Sequence, residues 1–185
     1  MLALCLHPFL SPTLGVTGGT MSEPQASKSA AAASLQGPDQ GTGTDQALDL
    51  SRCIVGALGI SFLGSDPMGA SEPGAPGWAL LADMPVDERT CQPYGYLSGG
   101  ASLALAETLA GYGSAIFLPA THKPVGVTVS ANHVSAAPVG HTVQGRATLV
   151  HKGRTTHVWN VDITDTDTGR LISTARVLNQ ILPVL

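Results

Sequence analysis

Glu107 stands where a charge is least expected. It is the only formal charge between Arg89 and Lys123, in a run dominated by Ala, Leu and Gly. A carboxylate in an apolar helix is costly to bury unless something compensates it. Either the helix turns Glu107 out to water or pairs it with a cation, or the group is kept for chemistry. Just upstream, Ser98-Gly99-Gly100-Ala101-Ser102 reads as a helix start. The first amides of a helix lack intrahelical acceptors and lie at the positive end of its dipole, so they can hold an anion or an oxyanion. Glycine lets a ligand come close to that backbone. Glu107 lies two turns beyond Gly99, roughly 12 Å away at a rise of 1.5 Å per residue. That is too far for both to act on one carbonyl within one chain. Antiparallel packing of two such helices would set the glycine end of one beside the glutamate of the other. The spacing therefore hints at a site shared by two chains.

The surrounding pattern must position these groups. Ser98 to about Leu118 is rich in Ala and Leu and reads as one helix, apolar on nearly every face and so expected to be buried. A short helix is expected over Asp45–Val55, with Asp45 or Thr44 as its cap, and a first strand over Leu58–Leu63. Asp66–Gly77 is a Gly/Pro-rich loop, Trp78–Val86 a strand and Asp87–Tyr96 a loop. After Pro124, alternating strands are expected near Val125–Val129, Thr142–Val150, Val158–Thr164 and Leu171–Leu182. Strands in succession without helices between them imply an antiparallel sheet. The fold class is therefore α+β, an antiparallel sheet wrapped around one long central helix.

Composition narrows the function. Of 185 residues, 9 are Lys or Arg and 13 Asp or Glu, a net charge of -4. That balance argues against a nucleic-acid partner. No apolar run is long enough to span a bilayer, so no membrane partner is expected. Three scattered cysteines suit neither a disulfide scaffold nor a zinc cluster, and a soluble cytoplasmic protein is expected. Residues 1–45 are poor in large apolar side chains after the first twenty, and are expected to be disordered or to reflect a start placed upstream of Met21. Residues 46–185 then form the single domain. The first stretch lacks the basic start and unbroken apolar core of a secretory signal.

The run Gln92-Pro-Tyr-Gly-Tyr-Leu-Ser-Gly-Gly-Ala101, followed by Ala106-Glu107, resembles the signature of hotdog-fold acyl-CoA thioesterases. The group most resembled is the phenylacetate-degradation type, with its 1,4-dihydroxy-2-naphthoyl-CoA and hydroxybenzoyl-CoA thioesterases. Ser130-Ala-Asn-His133 and Lys152-Gly-Arg-Thr-Thr-His-Val-Trp159 resemble two further strands of that family. The resemblance implies a hotdog fold and hydrolysis of an aromatic or bulky acyl-CoA, with menaquinone biosynthesis as one setting. It implies Glu107 as nucleophile or general base, the Gly99 amide as oxyanion donor and Gln92 as an orienting side chain. It implies no cofactor beyond the CoA of the substrate, and a homodimer or homotetramer with active sites at the dimer interface.

Ser98 departs from the family, which has His there. Serine can cap a helix and donate a hydrogen bond but carries no imidazole. Activity is expected to survive, because Gly99, Gly100, Gln92 and Glu107 remain. A non-catalytic acyl-CoA binder on the same fold is the alternative that Ser98 supports. A hydratase-type hotdog enzyme is disfavoured, since no Asp-His pair has a suitable spacing. Gly111 and Gly113, with Tyr112 between them, could leave room for an aromatic ring. His133 either lines the acyl pocket or is a hydrogen-bonded sheet histidine. Lys152 and Arg154, flanking Gly153, either hold CoA phosphates or form a solvated turn. Asp162, Asp165 and Asp167 lack calcium-loop spacing and read as turn and strand residues, so no metal is expected.

Overall fold

The computed structural model describes residues 50–66 and 68–184. The expectation for residues 1–45 therefore lies outside the described residues, as does the start of the first predicted helix. A single 3₁₀ turn, Leu50–Arg52, precedes helix α1, Ile54–Leu58. The helix thus comes later than the sequence pattern suggested. Gly59 stops it in the left-handed conformation at φ 68°, and its amide reaches back to Gly56. Leu58 is consequently helical, and strand β1 begins only at Ser61, running to Ser65.

Five more strands and one long helix complete the fold. They are β2 (Ala79–Pro85), α2 (Gly99–Ile116), β3 (His122–His133), β4 (Thr142–Lys152), β5 (Thr156–Asp165) and β6 (Leu171–Pro183). The sheet has six strands in the order β1-β2-β4-β5-β6-β3, each pair antiparallel. Helix α2 packs on one face of it and touches β2, β3, β4, β5 and β6. The expected sheet wrapped around one helix is what forms.

Strand alternation supplies the core. In β4 the buried positions are Val143, Gly145, Ala147 and Leu149; in β5 they include Trp159, Val161 and Ile163. From the helix, Leu105 and Leu109 meet this row, both fully buried. Gly145 is glycine for a packing reason: a Cβ there would lie 2.5 Å from a methyl of Leu109. Trp159 fills the space over Gly113 and donates from Nε1 to Ser114 Oγ at 2.8 Å. Trp78 and Phe117 pack around the same indole, with ring centroids 6.2 and 6.3 Å from it. Bulges in β3/β6, β4/β5 and β5/β6 let the sheet bend around the helix.

Two features of α2 and β3 differ from the sequence reading. Helix α2 is not covered on every side: Gly100, Glu107 and Ala115 are exposed along one stripe. Apolarity alone had suggested full burial, but this chain's sheet covers only one side of the helix. Strand β3 begins before Pro124 rather than after it. Proline is tolerated there because β3 is an edge strand, with one side free of ladder bonds.

Candidate active site

The residues around the helix start come from three segments. Cys91 to Leu97 folds back on itself through a Cys91–Leu97 bridge, with the Gln92 amide bonded to Tyr96 O at 2.8 Å. Gly95, at φ 80°, closes this turn and bonds Gln92 O at 3.0 Å. The Leu97 amide bonds Ala137 O and the Ser98 amide bonds Thr90 O, each at 2.8 Å, which locks the turn onto its neighbours. Ser98 is the N-cap of α2 with extended backbone, but its hydroxyl makes no cap bond. The amides of Gly99, Gly100 and Ala101 therefore remain the orphan donors of the helix start.

A cavity of about 240 Å³ opens here. Gln92, Tyr96, Gly99, Ser102, His133 and Ser135 are among its lining residues. His133 ends β3 on the helix-facing side, directly across from Ser173. Its Nε2 comes within 2.8 Å of where a Cβ on Gly99 would sit. Glycine at 99 is thus what lets an imidazole reach the helix start. Serine stands at the usual histidine position, yet an imidazole still lies beside the Gly99 backbone, brought by β3. His133 lines this cavity, and no hydrogen bond to its ring is found among the described residues.

Glu107 lies elsewhere. It is exposed on α2, and its carboxylate rests on Gly126 of β3, in the space where a Cβ at 126 would be. It makes no hydrogen bond or ion pair with any described residue. Gly126 adjoins the bulge that separates it from Thr128. A glycine inside a strand marks a close approach, and here the approaching group is the carboxylate. One chain therefore keeps these groups apart: the amide and imidazole lie at the start of α2, and the carboxylate about two turns along it.

The sequence matches the thioesterase superfamily over residues 94–172. It is 41% identical over 131 residues to the 1,4-dihydroxy-2-naphthoyl-CoA hydrolase of Escherichia coli, covering 70% of this chain and 86% of that protein. It is 42% identical over 103 residues to the proofreading thioesterase EntH of Cronobacter sakazakii, covering 56% of this chain and 74% of that one. A crystal structure of a thioesterase from Haemophilus influenzae superposes with a TM-score of 0.62 at 34% identity, over 74% of this chain and 87% of that one. The chain belongs to the thioesterase superfamily. It is a thioester hydrolase with the hotdog architecture.

The remaining predicted site residues of this thioesterase are spread along the helix and sheet. Gly100 is exposed next to Gly99. Gly111 follows Glu107 by one turn on the same helix face, and a Cβ there would meet open space. Gly113, by contrast, leaves no room for a ligand ring, because Trp159 already fills it: a Cβ would lie 2.6 Å from the indole. Tyr112 turns away from the cavity and stacks on Phe62 of β1, centroids 4.3 Å apart. Lys152, Gly153 and Arg154 sit at the β4–β5 hairpin, near the far end of α2, where the Lys152 ammonium lies 5.2 Å from the Phe117 ring centroid. The single chain does not bring them to the Gly99 cavity.

Several lining residues were not singled out in the sequence. Ser102 and Tyr96 lie within the recognised motif, but Ser135, Ala136 and Ile172 reach the cavity through long-range contacts. Gly126 carried a usable signal, a glycine interrupting Val125 and Val127.

One mixed cluster lies outside the site. His141 Nδ1, one oxygen of Asp165 and one of Asp167 fall within 4.8 Å of one another. Asp165 is already engaged: His141 Nδ1 lies 2.9 Å from its Oδ2, and the Asp167 amide donates to its Oδ1 at 2.9 Å. Burial pushes the Asp165 carboxyl up, but the bonds from His141 and the Asp167 amide outweigh it and hold the group below its ordinary range. The cluster staples the β5–β6 turn to the start of β4. Asp162 faces the other side of the sheet and accepts from Thr174 at 2.6 Å.

Proposed function

We propose that this thioesterase hydrolyses an aromatic or bulky acyl-CoA to the free acid and CoA, at sites built by two copies of the chain. The observation that carries this reading is the Glu107 carboxylate, unpaired among the described residues and resting on edge strand β3, away from the Gly99 amide. Strand β3 is 12 residues long and has Val125 and Val127 exposed. Such an edge is a template for pairing with another strand. Two copies pairing β3 to β3 about a two-fold axis would lay their α2 helices antiparallel, with the Glu107 of one chain facing the Gly99 of the other. A tetramer would then be a pair of such dimers.

In the assembled site the Gly99 amide donates to the thioester carbonyl oxygen and stabilises the charge that grows there. Gln92, across the same cavity, orients the thioester or the lytic water. Glu107 acts in one of two ways. As general base it takes a proton from water while the water oxygen attacks the carbonyl carbon. As nucleophile it attacks the carbonyl itself, giving an acyl anhydride that water then cleaves. In both cases the C–S bond breaks and the thiolate of CoA leaves and is protonated. His133 supplies the imidazole at the helix start that Ser98 does not. Gly100 and the open face at Gly111 leave room for the acyl group, and Lys152, Gly153 and Arg154 are assigned to CoA phosphates brought near by the partner chain. No resident cofactor or metal enters this scheme.

The aromatic preference draws on the likeness to the E. coli naphthoyl-CoA hydrolase. It makes 1,4-dihydroxy-2-naphthoyl-CoA one substrate to test, with cytoplasmic menaquinone biosynthesis as its setting. The test is free-thiol release from benzoyl-, naphthoyl- and alkyl-CoA esters by wild type and Glu107→Ala. Turnover by wild type that is lost in the variant supports the reading. Equal rates in both would remove Glu107 from the mechanism. Tight binding without turnover of any ester would favour an acyl-CoA binder instead.

A further inference from the structure

We infer that Asn179 is a positioning residue for Glu107, holding helix α2 at the depth and register that place the carboxylate over Gly126; the inference rests on the proposed role of Glu107. Asn179 is fully buried on the helix-facing side of β6. Its Nδ2 donates to Ala110 O at 2.9 Å and to Ser114 Oγ at 3.0 Å. Ala110 lies one turn beyond Glu107 on α2. Across the sheet, Asn179 pairs directly with Gly126. One side chain therefore ties the helix turn after Glu107 to the strand position beside the glycine on which that carboxylate rests.

The choice of residue supports a positional role. The neighbouring helix-facing positions of β6, Ala175, Val177 and Ile181, are apolar and buried. An apolar side chain at 179 would fill the space without needing hydrogen bonds. Asparagine instead leaves its Oδ1 buried without a partner among the described residues. Its cross-strand neighbour on the other side, His157, likewise has a buried Nδ1 without one. Polar groups are kept here at a cost to packing, and what they secure is a directional bond to the helix backbone. A van der Waals contact would let α2 slide, whereas two hydrogen bonds from one amide fix both its height and its rotation.

The test compares Asn179→Asp, which keeps the shape but cannot donate to both Ala110 and Ser114 as the amide does, with Asn179→Thr, which is too short to reach Ala110. Trp159→Phe is the control. It removes the other donor to Ser114 Oγ and leaves the Ala110 bond intact. For the folded fraction of each Asn179 variant, kcat should fall about 10- to 100-fold, as a misplaced catalytic group loses. KM should stay within about twofold, since the Gly99 cavity is untouched. Trp159→Phe should lower Tm while leaving kcat near wild type. In a Glu107→Ala background, Asn179→Asp should cost nothing further. Folded Asn179 variants with wild-type kcat, while Glu107→Ala is inactive, would overturn the inference and leave the role of Glu107 standing. A fully active Glu107→Ala would overturn both. Should Asn179→Asp fail to fold, the Asn179→Thr kcat decides.

Discussion

The carboxylate of Glu107 occupies the space that a side chain at Gly126 would need. Strand β3 and helix α2 are fitted to each other here, and the fit leaves the carboxylate exposed at the open edge of the sheet.

Gly126→Ala should therefore disturb catalysis more than stability. The new methyl meets the end of a flexible glutamate, which can swing away at little cost to the fold. The displaced carboxylate should lower kcat by about 10- to 100-fold. Paired measurements of Tm and thiol release check this; a variant with wild-type kcat would mean that Glu107 does not need its seat on β3.

Gly99→Ala should meet the imidazole of His133, whose Nε2 lies 2.8 Å from the added carbon. Either the helix start or the imidazole must shift. Disturbing an oxyanion donor costs about 100- to 1,000-fold in kcat. If the imidazole is what obstructs, Gly99→Ala/His133→Ala should regain the Tm that Gly99→Ala loses, as thermal melts would show.

Mixed assembly tests the shared site directly. Glu107→Ala and Gly99→Val chains should each be inactive alone. Refolded together in equal amounts, half of the dimers are mixed and each mixed dimer holds one intact site, so about a quarter of wild-type activity should return. No recovery in dimers shown to exchange subunits would place the whole site within one chain.

Stability should decline on mild acidification. Burial, reinforced by the nearby Lys152 and His151 charges, pushes His157 below its ordinary 6.5. The unfolded chain then binds the proton more readily than the folded one. The stabilisation is complete above pH 6.5 and is lost as pH falls through the lower folded value. Asp165, also held low, adds a second loss at more acidic pH. Thermal melts across pH 4–8 should show a fall in wild type that His157→Phe reduces in its upper part, at about those pH values.

Much of this was legible in the sequence because it was local. The Gln92 to Ala101 run and Ala106-Glu107 name the helix start and the carboxylate, and alternation gave β4, β5 and β6 to within a few residues. What depended on contacts distant in sequence was not legible. Nothing local says that Gly113 is filled by Trp159 while Gly111 faces open space, though the two are neighbours on one helix. His133 could be read either as a ligand-facing or as a sheet histidine until its strand was placed beside the helix start. The stop of helix α1 at Gly59 is not legible locally, because it lies inside the Leu58–Leu63 run that patterns as a strand.

A site shared across the edge of strand β3 would follow an arithmetic of its own. Where Glu107 and Gly99 of a site come from different chains, a preparation diluted with Glu107→Ala subunits loses activity in proportion to the fraction added. Diluted with chains defective at both positions, it falls as the square of the intact fraction, because every working site then draws on two sound subunits.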